Sequence, residues 1–159
     1  MMTLCCKVLE ALRGKTLVSA ESLTGGGIGA ALTAVPGSSE VYKGGIISYT
    51  DAVKEQILGV PREILERYGA VSQWTAGYMA SGVRKKLDAD VAVSVTGLAG
   101  PGADEYGNPV GTVFIGYEDA HHSVVEHFVF SGSREEVRNQ TICAALELIL
   151  NQCGNGSNG

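Results

Sequence analysis

Ser22 stands in the run A-E-S-L-T-G-G-G, which begins at Ala20 and separates an apolar segment from a glycine-rich one. The apolar residues before Ser22 predict a strand, and those after it recur at helical spacing. Glycine in a helix costs about 1 kcal/mol relative to alanine, so a run of glycines in a first turn needs a reason such as close backbone approach. Bare N–H groups there suit an oxyanion, and a serine beside them suits nucleophilic attack. Serine before a helix is also a common N-cap, so both interpretations stand.

A serine hydroxyl needs a base, and the sequence contains no G-x-S-x-G elbow. Lys54 is the remaining candidate. We expect it in the first turn of a short helix capped by Thr50 or Asp51, where the helix dipole and burial would lower its pKa while Asp51 would raise it. Tyr49, at the end of the preceding strand, could orient the lysine or share its proton. The alternatives are a solvated lysine and a tyrosine at the edge of the core.

Arg134 and Arg138 lie one turn apart on a predicted helix that begins with the capping-box spelling S-R-E-E at Ser133. Two guanidinium groups near a helix start could clamp a phosphate. They could equally pair with the neighbouring acids Glu135 and Glu136 on the surface. The spacing alone does not decide between these interpretations.

Strands alternate with helices along the chain and end in a hairpin. This order predicts a single-domain three-layer α/β/α sandwich with a mixed, mostly parallel sheet ending in an antiparallel hairpin. We expect the domain to span residues 1–152 and residues 153–159 to form a disordered tail. Trp74 and Tyr78 lie on a long predicted helix capped by Ser72, and we expect their side chains in the hydrophobic core. Ligands of such sheets gather at the carboxyl ends of strands, where Ser22, Tyr49 and Thr96 all fall.

Composition excludes several classes of function. The 159 residues carry a net charge of −5, so there is no basic surface for nucleic acid. Glycines, hydroxyls and Pro36 interrupt the longest uncharged run, so we expect no membrane span. The four cysteines form no C-x-x-C pair, which favours a reducing cytoplasm. The histidines lack H-E-x-x-H spacing, and no glycine run matches a nucleotide fingerprint, so neither metal nor cofactor is expected. We also expect a homo-oligomer.

Six ordered segments resemble the C-terminal domain of the competence/damage-inducible protein CinA, which also occurs alone as nicotinamide mononucleotide deamidase. They are AESLTGGG from Ala20, GGIISYTDAVKEQILGV from Gly44, GAVS from Gly69, VSVTGLAGPG from Val93, PVGTV from Pro109 and FSGSREEVR from Phe130. The similarity extends from Thr16 to about Leu150. It implies hydrolysis of the carboxamide of nicotinamide mononucleotide to nicotinate mononucleotide and ammonia, a step of pyridine nucleotide salvage.

The family's amidase pattern falls on Ser22, Tyr49 and Lys54 in this sequence. With Ser22 as nucleophile and Lys54 as base, we expect backbone N–H groups near residues 24–26 to hold the oxyanion, and the loop 97–102 with Arg138 to hold the phosphate and ribose. The expected substrate-binding residues are Glu21, Thr24, Gly25, Gly26, Thr96, Gly97, Gly100 and Arg138. The alternatives are a non-catalytic nucleotide-binding regulatory module and an amidase for a different pyridine or sugar-phosphate amide.

Overall fold

The computed structural model describes residues 1–156. Eleven elements follow one another along the chain, with a 3₁₀ turn at Ser38–Glu40 between the second helix and the second strand. They are α1 (Met2–Ala11), β1 (Leu17–Glu21), α2 (Gly27–Thr33), β2 (Tyr42–Ile47), α3 (Asp51–Gln56), α4 (Arg62–Tyr68), α5 (Gln73–Lys86), β3 (Val91–Gly97), β4 (Thr112–Glu118), β5 (Ser123–Val129) and α6 (Arg134–Gly156).

The five strands form one sheet in the order β2-β1-β3-β4-β5. β1 pairs in parallel with both of its neighbours, β2 and β3, whereas β4 is antiparallel to β3 and to β5. The predicted mixed sheet with a terminal antiparallel hairpin is therefore confirmed. Because β1, β2 and β3 run in one direction, the segments that follow them meet at one edge of the sheet.

Helices cover both faces of the sheet, which confirms the three layers. Leu17 of β1 and Val93 of β3 pack in the cluster that includes residues of α1, α2 and α6. Val18 and Ala92, each one position further along its strand, pack with Met79 of α5 on the opposite face. Successive residues of a strand point to opposite faces, so a strand covered on both sides reads as a continuous apolar run.

Local signals in the sequence position the helix ends as predicted. Ser72 accepts a hydrogen bond from the Thr75 N–H at 3.0 Å and caps α5. Ser133 and Glu136 form a reciprocal capping box at α6, in which each side chain accepts from the other's backbone N–H. These hydrogen bonds also hold the pKa of the Glu136 carboxyl below its usual value. Gly69 ends α4 with a φ of +83°, a conformation that glycine adopts without strain.

Two predictions about the core were wrong. Trp74 and Tyr78 are 44% and 43% exposed rather than buried. Trp74 stacks on the ring of Tyr68 at 4.1 Å between ring centroids, and both predicted core aromatics line a groove of about 480 Å³ that reaches Val125 of β5. The helix α5 buries the neighbouring stripe instead: Thr75, Ala76, Met79, Ala80 and Val83.

The C-terminal helix α6 continues to Gly156, beyond the position at which the tail was expected to begin. The remainder of the predicted tail, residues 157–159, lies outside the described residues. Within residues 1–156, no helix combines the length and the apolar character needed to cross a membrane.

Candidate active site

Ser22 follows β1 directly at the edge of the sheet where the parallel strands end. Its N–H donates to the carbonyl of Val95 in β3 at 3.1 Å, and its own carbonyl accepts from the Gly25 N–H at 3.0 Å. The residue is 6% exposed. A strand hydrogen bond on one side and a tight turn on the other therefore hold Ser22 in place.

The amine of Lys54 reaches this serine from α3. Its Nζ lies 2.9 Å from Ser22 Oγ, 2.6 Å from the Ser48 carbonyl oxygen and 3.4 Å from the Tyr49 carbonyl oxygen. Both carbonyls can only accept hydrogen bonds. A neutral amine that donates its two hydrogens to them directs its lone pair at Ser22 Oγ, which is the arrangement a general base needs.

Burial explains why Lys54 can lose its proton. The side chain is 1% exposed, and desolvation lowers its pKa from 10.5 to about 8, against the opposing charge of Asp51. The expected contribution of the helix dipole finds no support, because α3 has six residues and Lys54 lies in its last turn. Thr50 caps this helix by accepting from the Val53 N–H, as one of the two predicted caps.

A buried carboxylate caps the glycine-rich helix α2. Glu21 Oε1 accepts from Thr24 Oγ1 at 2.7 Å and from the Ile28 N–H at 2.8 Å. Its Oε2 accepts from the Gly29 N–H at 3.1 Å and from Ser19 Oγ at 3.2 Å. Four donors occupy the four lone-pair sites of the carboxylate, so the expected contact of Glu21 with substrate is not supported by this geometry.

The cap on α2 leaves the nucleophile candidate free. The N-cap position is Gly26, which has no side chain, and the capping hydrogen bonds come from Glu21. The hydroxyl of Ser22 is hydrogen-bonded to Lys54 and to no backbone N–H within residues 1–156. The structure therefore does not use Ser22 as the cap of this helix.

Several N–H groups after Ser22 have no acceptor. Across the described chain, the N–H groups of Leu23, Thr24 and Gly26 form no hydrogen bond, whereas that of Gly25 is taken by the Ser22 carbonyl. Of the expected oxyanion donors near residues 24–26, the Gly25 N–H is thus engaged within the turn, whereas the N–H groups of Thr24 and Gly26, and that of Leu23 beside Ser22, are free.

The conformation of the chain explains the glycine run. Gly25 and Gly26 have φ values of +57° and +98°, in the left-handed region that other residues rarely adopt. A Cβ on Gly27 would lie 2.6 Å from Ile142 Cδ1 of α6. The close approach that the glycines permit is thus an approach within the protein.

Tyr49 does not bring its hydroxyl to the lysine. The side chain is 60% exposed, and its hydroxyl accepts from Arg134 Nη2 at 3.0 Å. Arg134 Nη1 donates to the Gly100 carbonyl at 2.6 Å. The exposed Arg134 therefore joins the end of β2 to the loop after β3, and it is the backbone carbonyl of Tyr49 that contacts Lys54.

Arg138 pairs with neither neighbouring glutamate. Its Nε donates to the Leu23 carbonyl at 3.0 Å and its Nη2 to the Thr24 carbonyl at 3.1 Å. Within the part of the chain that the structure describes, it forms no ion pair. The sequence pattern of two arginines one turn apart did not indicate that they contact different segments.

The remaining expected binding residues lie at the end of β3 and in the loop that follows it. Thr96 is 1% exposed and donates to the Ala70 carbonyl at 2.7 Å. A Cβ on Gly97 would lie 2.7 Å from the Thr112 carbonyl oxygen, so β4 approaches this glycine closely. Gly100 has a φ of +106° and presents its carbonyl to Arg134.

Sequence reasoning missed Ser48. This fully buried residue donates from its N–H to the Glu21 carbonyl at 2.7 Å and from its Oγ to the same oxygen at 3.2 Å. Its carbonyl accepts the shortest hydrogen bond of Lys54. The only signal for it was its place at the end of a strand.

Among residues 1–156, no group of three or more His, Cys, Asp or Glu residues is placed to hold a metal ion.

Comparison with known proteins identifies one matching family model and several similar sequences. A family model described as the CinA C-terminal domain matches residues 2–153. A CinA-like protein of Parasynechococcus marenigrum is 48% identical over 136 residues, which cover 84% of this chain and 32% of that protein. A putative competence-damage inducible protein of Geobacillus kaustophilus is 49% identical over 142 residues, which cover 87% and 34%. The chain spans about a third of the length of these curated relatives.

Solved structures agree in fold over almost the entire chain. A CinA superfamily protein from Klebsiella pneumoniae superposes with a TM-score of 0.94 at 31% identity, covering 97% of this chain and 98% of that one. A competence/damage inducible protein from Agrobacterium tumefaciens has a TM-score of 0.90 at 36% identity, with 94% of each chain covered.

The buried lysine makes the stability of the protein depend on pH. Below pH 8 both folded and unfolded chains hold the Lys54 proton, so burying the charge destabilises the fold. Between pH 8 and 10.5 only the unfolded chain keeps it, so stability rises with pH. The free energy of unfolding of the wild type, measured by urea denaturation relative to that of Lys54→Met, should increase by about 2–3 kcal/mol between about pH 7 and 10. The difference should stay constant for Lys85→Met, at an exposed position; a constant difference for Lys54→Met would contradict the assignment.

Proposed function

The chain belongs to the CinA C-terminal domain family, and on this basis we propose that it is a serine–lysine amidase that converts nicotinamide mononucleotide to nicotinate mononucleotide and ammonia. The observation that carries the proposal is the 2.9 Å hydrogen bond between Ser22 Oγ and the buried Nζ of Lys54. The resemblance of the segments around Ser22, Tyr49 and Lys54 to the family's amidase pattern supports the choice of substrate.

In the proposed reaction, neutral Lys54 takes the proton of the Ser22 hydroxyl while Oγ attacks the carboxamide carbon. The carbon–oxygen bond forms, and the electron pair of the carbonyl moves to its oxygen. The free N–H groups of Leu23, Thr24 and Gly26 are the available donors to this oxyanion. Each N–H group that donates a hydrogen bond to the oxyanion stabilises the transition state by about 3 kcal/mol.

The tetrahedral intermediate then collapses. The ammonium of Lys54 returns its proton to the amide nitrogen, the carbon–nitrogen bond breaks and ammonia leaves. Water attacks the resulting ester on Ser22 with Lys54 again as base; the carbon–Oγ bond breaks, Lys54 returns the proton to Oγ, and the product leaves as a carboxylate after losing its proton to solvent. We assign both proton transfers to Lys54, because the Tyr49 hydroxyl contacts Arg134 and, among the described residues, forms no hydrogen bond with Lys54 or Ser22.

We propose that the nucleotide part of the substrate binds at the mouth of the site, which is formed by Tyr49, Arg134 and the loop 97–102. Arg134 is exposed and lies between the Tyr49 hydroxyl and the Gly100 carbonyl. A guanidinium with unused N–H donors at this position suits a phosphate. We expect the ribose to lie along the loop between Thr96 and this arginine.

We also propose a cytoplasmic location and a homo-oligomeric state. All four cysteines are free thiols, at residues 5, 6, 143 and 153, which supports a reducing compartment. Size-exclusion chromatography with light scattering tests the oligomeric state directly.

Removal of either reacting group should abolish or sharply reduce ammonia release from nicotinamide mononucleotide. We expect no activity from Ser22→Ala, and a loss of about 10²- to 10⁴-fold in kcat from Lys54→Met. Lys85→Met is the matched lysine control. Full activity in either site variant would contradict the dyad. Tight mononucleotide binding by the wild type with no ammonia would favour a regulatory module, and ammonia from another amide in a substrate panel would reassign the substrate.

The pH dependence of kcat/KM should report the titration of Lys54. Since the base must be neutral, kcat/KM should rise about tenfold per pH unit below pH 8 and level off above the pKa of about 8. Asp51 raises this pKa, so Asp51→Asn should move the inflection to lower pH. A profile that is flat between about pH 6 and 9, or an inflection that Asp51→Asn moves upward, would exclude Lys54 as the titrating base.

A further inference from the structure

Behind the chain segment that follows Ser22 lies the guanidinium of Arg138. We propose that Arg138 is a positioning residue, which fixes the peptide units after the nucleophile so that their free N–H groups form the oxyanion site. The inference rests on the proposed role of Ser22, but not on the identity of the amide substrate.

The contacts of Arg138 are made with the main chain. Nε and Nη2 donate to the carbonyls of Leu23 and Thr24, at 3.0 and 3.1 Å. The next residue is Gly25, at which even a Cβ would lie only 3.5 Å from Nη2. A planar guanidinium can span two successive carbonyls with parallel donors, which the single ammonium of a lysine cannot do with the same geometry.

Holding a carbonyl also orients the N–H of the same peptide unit, because the two point in opposite directions in a trans peptide. The only cis peptide bond within residues 1–156 is Gly100–Pro101, so the peptide unit between Leu23 and Thr24 is trans. Its carbonyl faces Arg138, and the Thr24 N–H therefore points away from the guanidinium and has no acceptor in the described chain.

Hydrogen bonds to the carbonyls also fix the neighbouring peptide units. The Ser22 carbonyl is held by the Gly25 N–H, which orients the free N–H of Leu23. The Thr24 carbonyl accepts from both Arg138 and the Gly27 N–H, and the N–H of that peptide unit, which belongs to Gly25, is the one that holds the Ser22 carbonyl. The carbonyls of Ser22, Leu23 and Thr24 are thus all engaged. A charged donor on a carbonyl also polarises the peptide unit and strengthens its N–H as a donor.

This role differs from phosphate binding in what it affects. A phosphate ligand acts on substrates that carry phosphate, whereas an arginine that shapes the oxyanion site acts on every acyl group that Ser22 accepts. Arg138 is half-buried and committed to two carbonyls, in contrast to the exposed Arg134. A substrate without phosphate therefore separates the two roles.

The test compares nicotinamide mononucleotide with p-nitrophenyl acetate, an activated ester with no phosphate. In the ester reaction the acetyl carbon bonds to Ser22 Oγ, the hydroxyl proton passes to Lys54 and p-nitrophenolate leaves. The Ser22-dependent rate is the wild-type rate minus that of Ser22→Ala. We expect Arg138→Ala to lower this rate at least about tenfold and kcat for the mononucleotide by a similar factor, with KM changed less than about twofold.

Chemical rescue and matched variants separate a local effect of Arg138 from a general loss of structure. Millimolar guanidinium should restore part of the rate of Arg138→Ala with both substrates. Asn139→Ala, at the adjacent exposed position of α6, is the control and should retain the wild-type rates. Circular dichroism and thermal melting establish which variants are folded. Arg138→Lys keeps the charge and serves in place of Arg138→Ala if that variant does not fold; we expect it to remain slow with the ester.

The two substrates distinguish a positioning role of Arg138 from phosphate binding, and they distinguish both from failure of the proposed substrate. A raised KM for the mononucleotide with an unchanged ester rate makes Arg138 a phosphate ligand and overturns the inference. A folded Arg138→Lys with the full ester rate, or no Ser22-dependent acylation in the wild type, also overturns it. If the wild type releases no ammonia from the mononucleotide but its ester reaction depends on Arg138, the proposed substrate fails and the positioning role is supported.

Discussion

The architecture of the site depends on one buried contact, between the amine of Lys54 and the hydroxyl of Ser22. Burying an ammonium is unfavourable unless its hydrogens find acceptors or it gives up its proton. The carbonyls of Ser48 and Tyr49 provide acceptors, and desolvation brings the pKa of the amine to about 8. The contact joins residues 32 positions apart in the sequence. It exists because β1 and β2 are parallel neighbours whose ends meet at one edge.

A second constraint follows from the first. A serine that is to react cannot also cap the helix beside it, and the start of α2 needs an acceptor for its N–H groups. Glu21 supplies that acceptor from the preceding position, with both oxygens fully engaged. Because Glu21 caps the helix, the hydroxyl of Ser22 can bond to Lys54. Arg138 donates to the carbonyls of Leu23 and Thr24 in the turn that follows.

Sequence reasoning succeeded where the signal is local. The caps at Ser72 and Ser133 and the alternation of strands and helices follow from short patterns, and they were confirmed. It failed where the outcome depends on distant segments. Tyr49 pairs with Arg134, 85 residues away, and Trp74 is 44% exposed in a groove that reaches Val125 of β5. The residues alone left two interpretations of Lys54, a base for Ser22 and a solvated lysine, and the family resemblance favoured the first.

The most direct test of the account is to trap the covalent intermediate. The wild type is mixed with nicotinamide mononucleotide, quenched in acid within the first turnover and digested, and the peptide that contains Ser22 is analysed by mass spectrometry. If Ser22 is the nucleophile, it carries the nicotinate mononucleotide acyl group while an equal amount of ammonia has been released. Ammonia released in that first turnover with Ser22 unmodified and the acyl group on another side chain would contradict it.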